Sequence, residues 1–419
     1  MNPFKEKAKD VTKFYMNWDK IYPESYNKNE TDPYTKTRII LMNGTEFEAQ
    51  WFSRQFARNC DNNDIRRELA MTREMEQQQQ KRISALKPED ESILEHTIGY
   101  EQLAVDLTAV LAQREPDKYV KQALDFALLE DFDHLYRYSD LLDWQQGIKG
   151  ENLVGGYTEI TPGRPTISEH RCPADNVRRS INAFKADPIT RLNVSIITAA
   201  EQQTMNYYMN VLNFADTGIA RRLYQEIGLV EEEHVSHYES LMDPNETWLE
   251  KLLCHEYTEC YLYYSCYMDE TDPNVKRIWE EHFNMELAHL HMAKNLLYKY
   301  ENKDWQEVIP NGEFPELLRL GSNIDYVRNI LGETVQNTTL REDYIDVSEL
   351  PSDADFFKYQ KIVNKDVERV PSHEVIKEYI DRYGMDYRFE TKPNPVEELQ
   401  LRTSDNTDVG RKAKALSAQ

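Results

Sequence analysis

The chain has 419 residues, of which 50 are Lys or Arg and 74 are Asp or Glu, so its formal charge at pH 7 is −24. This balance argues against a nucleic-acid partner and against docking on an anionic membrane, because both need clustered basic side chains. No stretch approaches the roughly 20 apolar residues that span a bilayer and the N-terminus lacks the apolar run of a signal peptide, so we expect a cytoplasmic protein.

Two blocks of the chain have a helical pattern, residues 36–143 and residues 191–301. Apolar residues recur there at three- and four-residue spacing, and short turn signals divide each block into four predicted helices. The turns are CDNND, KPEDES and REPD in the first block and ADTG, DPNET and DETDPN in the second. This pattern predicts an all-α fold made of two tandem four-helix bundles.

The remaining segments lack this regular pattern. Residues 144–190 are rich in Gly and Pro and predict an irregular linker between the bundles. Residues 303–419 form a C-terminal extension, in which the stretch PSHEVIKEYIDRYG predicts a short helix with Ser372 as its N-cap and Gly384 beyond its end. The last residues, about 30 in number, are polar and predict disorder.

Two Glu-x-x-His units mark the inner faces of two helices in the second block. Glu231 with His234, and Glu286 with His289, each stand three residues apart and in line with the apolar face. This spacing puts a carboxylate and an imidazole one helical turn apart on the same side, where they can share an ion. One such unit alone is usually a solvated surface feature, but two of them on inner faces favour a metal site.

The other two helices of the second block also carry carboxylates in their apolar stripes. A lone ionised carboxylate in an apolar interior costs several kcal/mol, and a shared divalent cation removes that cost. The predicted metal ligands are therefore Glu201, Glu231, His234, Glu256, Glu259, Glu286 and His289.

The ligand spacing repeats within the chain. Glu201 precedes Glu231 by 231 − 201 = 30 residues, and Glu256 precedes Glu286 by 286 − 256 = 30 residues. A shift of 155 residues toward the N-terminus carries the six main ligands onto Glu46, Glu76, Gln79, Glu101, Asp131 and His134. The turn signals repeat at about the same shift. We infer an internal duplication of a four-helix unit.

The first block departs from the ligand pattern at two positions. Gln79 replaces a histidine and Asp131 is one methylene shorter than Glu, so we expect a degenerate, structural site there. In the favoured division each block folds by itself. The 256 − 234 = 22 residues across the second turn leave no chain for the long crossover of ferritins, so they predict a plain up-down-up-down order of helices. In the alternative, hairpins from the two blocks pair with one another across the linker.

One Glu from each of two helices and a Glu-x-x-His from each of the other two resembles the ligand set of the ferritin-like di-iron and di-manganese carboxylate proteins. The stretch IARRLYQEIGLVEEEHVSHY is similar to the second bundle helix of rubrerythrins and bacterioferritins, with Tyr224 seven residues before Glu231. Trp279 stands in the same way before Glu286, and Glu259 resembles an additional glutamate of rubrerythrins. The resemblance covers the two helical blocks and not the C-terminal extension.

The resemblance implies two bound Fe ions, two Mn ions or a mixed pair, since carboxylate oxygens with few imidazoles suit these metals. It implies an oxidoreductase that reacts with O2 or hydrogen peroxide, as a rubrerythrin-like peroxidase or an oxygenase. The five cysteines form no Cys-x-x-Cys pair for a rubredoxin module, so a separate protein would donate electrons. A homo-oligomer is compatible with this interpretation. The alternatives are an iron-storage ferroxidase and a structural bundle that metal only stabilises.

Three further side chains lie near the predicted ligand lines. Tyr208 and Tyr263 each stand seven residues after an inner glutamate, and His282 stands one turn before Glu286. Core packing is the favoured role of both tyrosines, and hydrogen bonds to the ligands or electron relay are the alternative; His282 lies near the ligand line as a surface or surrounding group.

Overall fold

The computed structural model describes residues 1–366 and 369–388 and shows them to be mostly helical, which confirms the all-α class. The helices are α1 (Trp18–Ile21), α2 (Pro33–Arg58), α3 (Asn63–Ser84), α4 (Ile93–Arg114), α5 (Lys118–Gln146), α6 (Gly150–Leu153), α7 (Thr166–Glu169), α8 (Pro188–Val211), α9 (Gly218–Glu239), α10 (Trp248–Asp269), α11 (Pro273–Glu301), α12 (Ile324–Thr334), α13 (Asp355–Val363) and α14 (Pro371–Tyr383). Two short antiparallel strands, β1 (Asn337–Leu340) and β2 (Asp343–Asp346), form a hairpin. The disorder predicted for the C-terminal residues falls outside the described part of the chain. None of the described helices combines the length and the apolar character needed to cross a membrane.

The eight long helices predicted from the periodicity, α2–α5 and α8–α11, are all present. Their starts repeat at one shift, since α2 and α8 begin 188 − 33 = 155 residues apart and the next three pairs begin at the same distance. The caps repeat too: Ser92 is the N-cap of α4 and Thr247 is the N-cap of α10, each within a capping box. Asp117 and Asp272 cap α5 and α11 by accepting from backbone N–H groups. The turn residues therefore set the helix boundaries.

The chain folds into two compact units, and each unit takes segments from both sequence blocks. The first unit consists of Met1–Glu91, Ser180–Gln203 and Met242–Leu320, and the second of Ser92–Arg179, Thr204–Leu241 and the described residues from Gly321 onward. Each compact unit thus combines helices from both predicted domains, 36–143 and 191–301: α2–α3 share a unit with α10–α11, α4–α5 share one with α9, and α8 is divided at Gln203. Periodicity, caps and ligand spacing define each hairpin but do not depend on its partner, so the local pattern cannot choose the pairing.

The first unit contains four complete long helices, α2, α3, α10 and α11, and the first part of α8. Hairpin α2–α3 contacts hairpin α10–α11 through α2 against α10 and through α3 against α11, so the four helices close into a ring. The N-terminal segment packs on α3 and α11, where Met16 forms a small cluster with Met75 and Met285. The inner faces of the four helices are thereby buried against one another.

The second unit is built around α5, which forms a hairpin with α4 and contacts α9, α12 and α14. The end of α8 contributes Tyr208, whose ring centroid lies 5.3 Å from that of Tyr138 and 5.7 Å from that of Tyr224. Residues 144–190, predicted as a linker, contain α6 and α7, which pack on α5. This segment also buries Arg164 and Arg171, so it is part of the second unit's interior.

The short helix predicted near residue 372 is α14, and its end is confirmed at Gly384, whose φ of 81° is left-handed. Its start differs from the prediction, because the N-cap is Val370. Ser372 lies in the first turn, where its backbone N–H and its hydroxyl both donate to Oε2 of Glu226, at 2.7 and 2.9 Å. Ser372 thus fastens α14 to α9 and does not cap its own helix.

Candidate metal centres

Each unit buries its own group of carboxylates and imidazoles. The first-unit cluster consists of Glu46, Glu76, Gln79, Glu256, Glu259, Glu286 and His289. The second-unit cluster consists of Glu101, Asp131, His134, Glu231 and His234. Every one of these side chains is at most 2% exposed, as the inner-face assignment from the sequence requires.

The ligands expected within residues 191–301 are divided between the two compact units. Of these ligands, Glu256, Glu259, Glu286 and His289 belong to the first unit, whereas Glu231 and His234 belong to the second. The set predicted to be degenerate is divided as well, so each cluster combines side chains from both sequence blocks. The cause is the pairing of hairpins described above. Glu201 is buried on α8 within the Ser180–Gln203 segment, and its role as a ligand stays a prediction.

Glu231 is the shared carboxylate of the second-unit cluster. Its Oε1 lies 3.0 Å from Nδ1 of His134, and its Oε2 lies 3.3 Å from Nδ1 of His234. Glu101 forms one group with His134 and Glu231, and Asp131 belongs to another with His234 and Glu231; within each group the ligand atoms lie within 4.8 Å of one another. A bridging carboxylate with an imidazole and a carboxylate on each side fits a pair of cations.

The charges of the second-unit cluster compensate one another only in part. Burial raises the pKa of Glu101 well above its usual range and raises that of Asp131. Burial also acts to raise the pKa of Glu231, but the charge of His234 and hydrogen bonds from both imidazoles lower it to about 2. For His134 and His234, burial acts to lower the pKa, but the surrounding carboxylates raise it well above its usual range. A bound cation would displace the protons of these imidazoles, because a histidine must be neutral to bind a metal.

A second layer of buried charge surrounds His234. Its Nε2 lies 2.8 Å from Oε2 of Glu130, whose other oxygen accepts from Arg171 and lies 3.3 Å from Nε of Arg164. Although burial acts to raise the pKa of Glu130, Arg171, Arg164 and His234 hold it at about 2. The ionised Glu130 therefore orients the His234 ring so that Nδ1 faces Glu231 and Asp131.

These surrounding residues were missed from the sequence. Arg164 and Arg171 lie in the segment predicted as an irregular linker, where no helical period marks an inner face. Glu130 stands directly before Asp131, and that adjacency was the one available signal. Glu169, from the same linker, is also buried, with Oε2 3.4 Å from Nε2 of His134.

Both tyrosines are buried in the core, as favoured, and both also form the hydrogen bonds given as the alternative. Tyr208 donates to Glu101 and Tyr263 donates to Glu46, so in each unit the acceptor lies on a different hairpin from the donor. His282 is buried with Nδ1 3.1 Å from the Tyr263 hydroxyl, and burial lowers its pKa well below the usual range. The three side chains surround the clusters without being among the grouped ligands.

Glu256 is the shared carboxylate of the first-unit cluster. It forms one group with Glu76 and His289 and another with Glu259 and Glu286, and within each group the ligand atoms lie within 4.8 Å of one another. Nδ1 of His289 lies 3.0 Å from Oε2 of Glu286 and 3.8 Å from Oε2 of Glu256. The arrangement again consists of two three-residue groups that share one carboxylate.

Gln79 makes the two clusters chemically different. It stands where the second unit has His234, since 234 − 79 = 155, and its amide donates to Oε1 of Glu286 at 2.6 Å. This amide nitrogen orients a carboxylate and has no free lone pair for a metal. The first-unit cluster therefore has five carboxylates and one imidazole, and the second-unit cluster has three carboxylates and two imidazoles.

The first-unit carboxyl groups are strongly perturbed. Burial raises the pKa of Glu76 to about 7 and that of Glu256 to about 8. Burial, reinforced by neighbouring carboxylates, raises the pKa of Glu46 and Glu259 well above the usual range. For His289, burial acts to lower the pKa, but the nearby glutamates raise it to about 10.

Buried atoms without hydrogen-bond partners show that the clusters fit a cation. Among the described residues, the atoms that lack a hydrogen-bond partner include both carboxylate oxygens of Glu256, Nε2 of His289 and Oε2 of Glu101. Buried polar atoms are nearly always paired, and a divalent cation would pair these lone pairs and neutralise the carboxylates. Oxygen and imidazole donors together suit Fe or Mn.

A scan against protein-family models, a search of curated proteins and a search of solved structures each found no match to this chain.

Proposed function

We propose that this protein is a di-metal carboxylate oxidoreductase of the ferritin-like type, with its reactive centre at the second-unit cluster. The observation that supports this most is the position of Glu231, which offers one oxygen toward each of two imidazoles. A side chain that satisfied a single proton or a single ion would not need to face two groups. The repeated helix starts support the ferritin-like type and the internal duplication as parts of the same proposal.

The chain's own residues would hold two cations in distinct ways. Glu231 with His134 and Glu101 would hold one cation, and Glu231 with His234 and Asp131 would hold the other. When bound, two adjacent Fe or Mn ions supply two electrons to O2 or hydrogen peroxide in one encounter.

The residues around the cluster orient its ligands and exclude bulk water. Tyr208 donates to Glu101 and so keeps that carboxylate in place. Glu130 orients His234, and Arg164 and Arg171 keep Glu130 ionised. Complete burial keeps bulk water from the ligands and strengthens each of these interactions.

The proposal is tested by loading the purified apoprotein with Fe2+ without oxygen and then adding O2 or hydrogen peroxide. We expect the absorbance of oxidised iron to rise for the natural chain and for Glu232→Gln, an exposed control one residue along α9. We expect the rise to be lost in Glu231→Gln. Iron that binds without reacting with either oxidant would contradict the redox function, and failure to bind any divalent metal would overturn the whole proposal.

A further inference from the structure

The first-unit cluster has the features of a binding site in its own right. Glu256 is 1% exposed, and neither of its carboxylate oxygens has a hydrogen-bond partner among the described residues. It nevertheless lies in both three-residue groups of the cluster, with ligand atoms of its neighbours within 4.8 Å. Its charged contact among the described residues is Nδ1 of His289 at 3.8 Å, so a buried carboxylate without hydrogen bonds at the meeting point of two groups would be stabilised by a cation at that point.

The two groups around Glu256 differ in their donors. The first, with Glu76 and His289, offers two carboxylates and one imidazole. The second, with Glu259 and Glu286, offers carboxylates alone. Each group of the second-unit cluster, by contrast, includes a histidine.

Gln79 strengthens this difference. A histidine at this position would add a second imidazole, as His234 does in the second unit. The Gln79 amide instead donates to Glu286 at 2.6 Å and holds one oxygen of that carboxylate. The first unit therefore presents an oxygen-rich set of donors with one imidazole.

Donor type decides how strongly a site discriminates among divalent metals. Carboxylate oxygens suit hard ions such as Mn2+, while imidazole nitrogen adds affinity for the later metals, including Zn2+. A site that loses an imidazole loses more affinity for Zn2+ than for Mn2+.

We propose that the first unit holds a second, oxygen-rich site for a pair of divalent cations, with Glu256 as the ligand common to both. This site discriminates less against Mn2+ than the second-unit cluster does. This site is independent of the proposed reaction with O2 or peroxide. It requires only that Glu76, Glu256, Glu259, Glu286 and His289 bind cations.

The test titrates the full-length apoprotein with Mn2+ and follows the loss of the free-ion signal by electron paramagnetic resonance. The matched variants are Glu256→Gln and Glu101→Gln, which occupy equivalent repeat positions because 256 − 101 = 155. We expect Glu256→Gln to weaken one class of Mn2+ sites by about 100-fold or more, at or beyond the cost of losing a second-layer partner. Glu101→Gln should leave that class intact and weaken the other.

A Zn2+ competition then tests the discrimination. Gln79→His should raise the preference of the first-unit site for Zn2+ over Mn2+ by about tenfold, because it adds an imidazole. His234→Gln should lower the same preference at the second unit. Circular dichroism checks folding, and Glu259→Gln serves as a second probe if Glu256→Gln does not fold.

Two results would overturn the inference. One is an unchanged Mn2+ isotherm in both Glu256→Gln and Glu259→Gln. The other is a first-unit site with the same Zn2+ to Mn2+ preference as the second-unit site. Loss of reactivity toward O2 bears on the proposed function alone, since neither arm of this test measures reactivity.

Discussion

One glutamate organises each cluster at the scale of single residues. Glu231 faces an imidazole with each of its oxygens, and Glu256 belongs to two groups of buried ligands. Both glutamates are buried, so bulk water does not screen their electrostatic interaction with a nearby ion or proton. The chemistry proposed for each unit therefore depends on a shared carboxylate and on the residues that orient its neighbours.

Glu130 is the residue whose removal tests this orientation most simply. Glu130→Gln replaces an ionised acceptor of the His234 ring with a neutral amide, so the ring loses its fixed orientation. We expect metal affinity at the second unit to fall about 10- to 100-fold. Isothermal titration with Mn2+ measures this.

The first unit provides the control for Glu130→Gln. Position 285, at 130 + 155, holds Met285, so the first-unit cluster has no counterpart of Glu130 at that position. First-unit affinity should therefore remain unchanged in this variant. An unaltered second-unit affinity would show that Glu130 does not orient His234.

The sequence predicted which residues are inner but not what surrounds them. A stripe at three- and four-residue spacing identified Glu231 and Glu286 as inner residues because a helix has only one face toward its neighbours, and the 155-residue repeat extended this to Glu101. Arg164 and Arg171 lie in a segment without a period, and their burial depends on how that segment folds back on α5. Long-range placement of this kind leaves no local mark in a sequence.

At the scale of elements, the attachment of α14 to α9 depends on the buried contacts of Glu226 with Ser372 and His170. Glu226 accepts from Ser372 twice and lies 3.1 Å from Nε2 of His170. Burial acts to raise the pKa of Glu226, but His170 and Ser372 lower it, while Glu226 raises the pKa of His170 against the effect of burial. The prediction that Ser372 caps α14 was wrong because the helix begins earlier, with Val370 as its N-cap, and Ser372 in the first turn directs its own donors to this distant carboxylate.

Replacing Glu226 is expected to loosen α14. Glu226→Gln replaces the charged carboxylate that accepts from Ser372 with a neutral amide. The opening free energy of the α14 amides should fall by about 2 kcal/mol, which is a roughly 30-fold faster hydrogen exchange. The control is Glu374→Gln on the same helix, whose partner Arg222 is half exposed, and such pairs contribute about 1 kcal/mol or less. Equal effects of the two variants would contradict the account.

The same pair predicts a pH dependence for α14. The lowered pKa of Glu226 contributes stability that is present above the unfolded value of about 4.3 and is lost as the pH falls through the folded value. The raised pKa of His170 contributes stability that is present below the unfolded value of about 6.5 and is lost as the pH rises through the folded value. Protection of α14 should therefore be greatest between about pH 5 and pH 6.5. Hydrogen exchange corrected for its intrinsic pH dependence measures this, and protection that rose steadily to pH 9 would contradict it.

The whole molecule is defined by the pairing of hairpins. Helix starts repeat at 155 residues, yet each compact unit joins helices of both blocks: α2–α3 with α10–α11 in the first unit, and α4–α5 with α9 in the second. The helices and their boundaries were predictable because caps and periods are local. The pairing was not, since the same inner faces and ligand heights serve either arrangement.

A fragment of residues 191–301 distinguishes the two arrangements. It contains both complete Glu-x-x-His units but lacks α2–α5, which supply half of the helices around each cluster. We expect it to unfold without a cooperative transition and to bind metal weakly, as followed by circular dichroism and metal titration. Cooperative unfolding with two tightly bound ions would restore the tandem division.

Anomalous diffraction at the iron or manganese edge, from crystals of the metal-loaded full chain, tests the central claim most directly. The account predicts a pair of peaks on either side of Glu231, flanked by His134 and His234. A single pair of ions held jointly by Glu231 and Glu286, or the absence of metal beside Glu231, would contradict it.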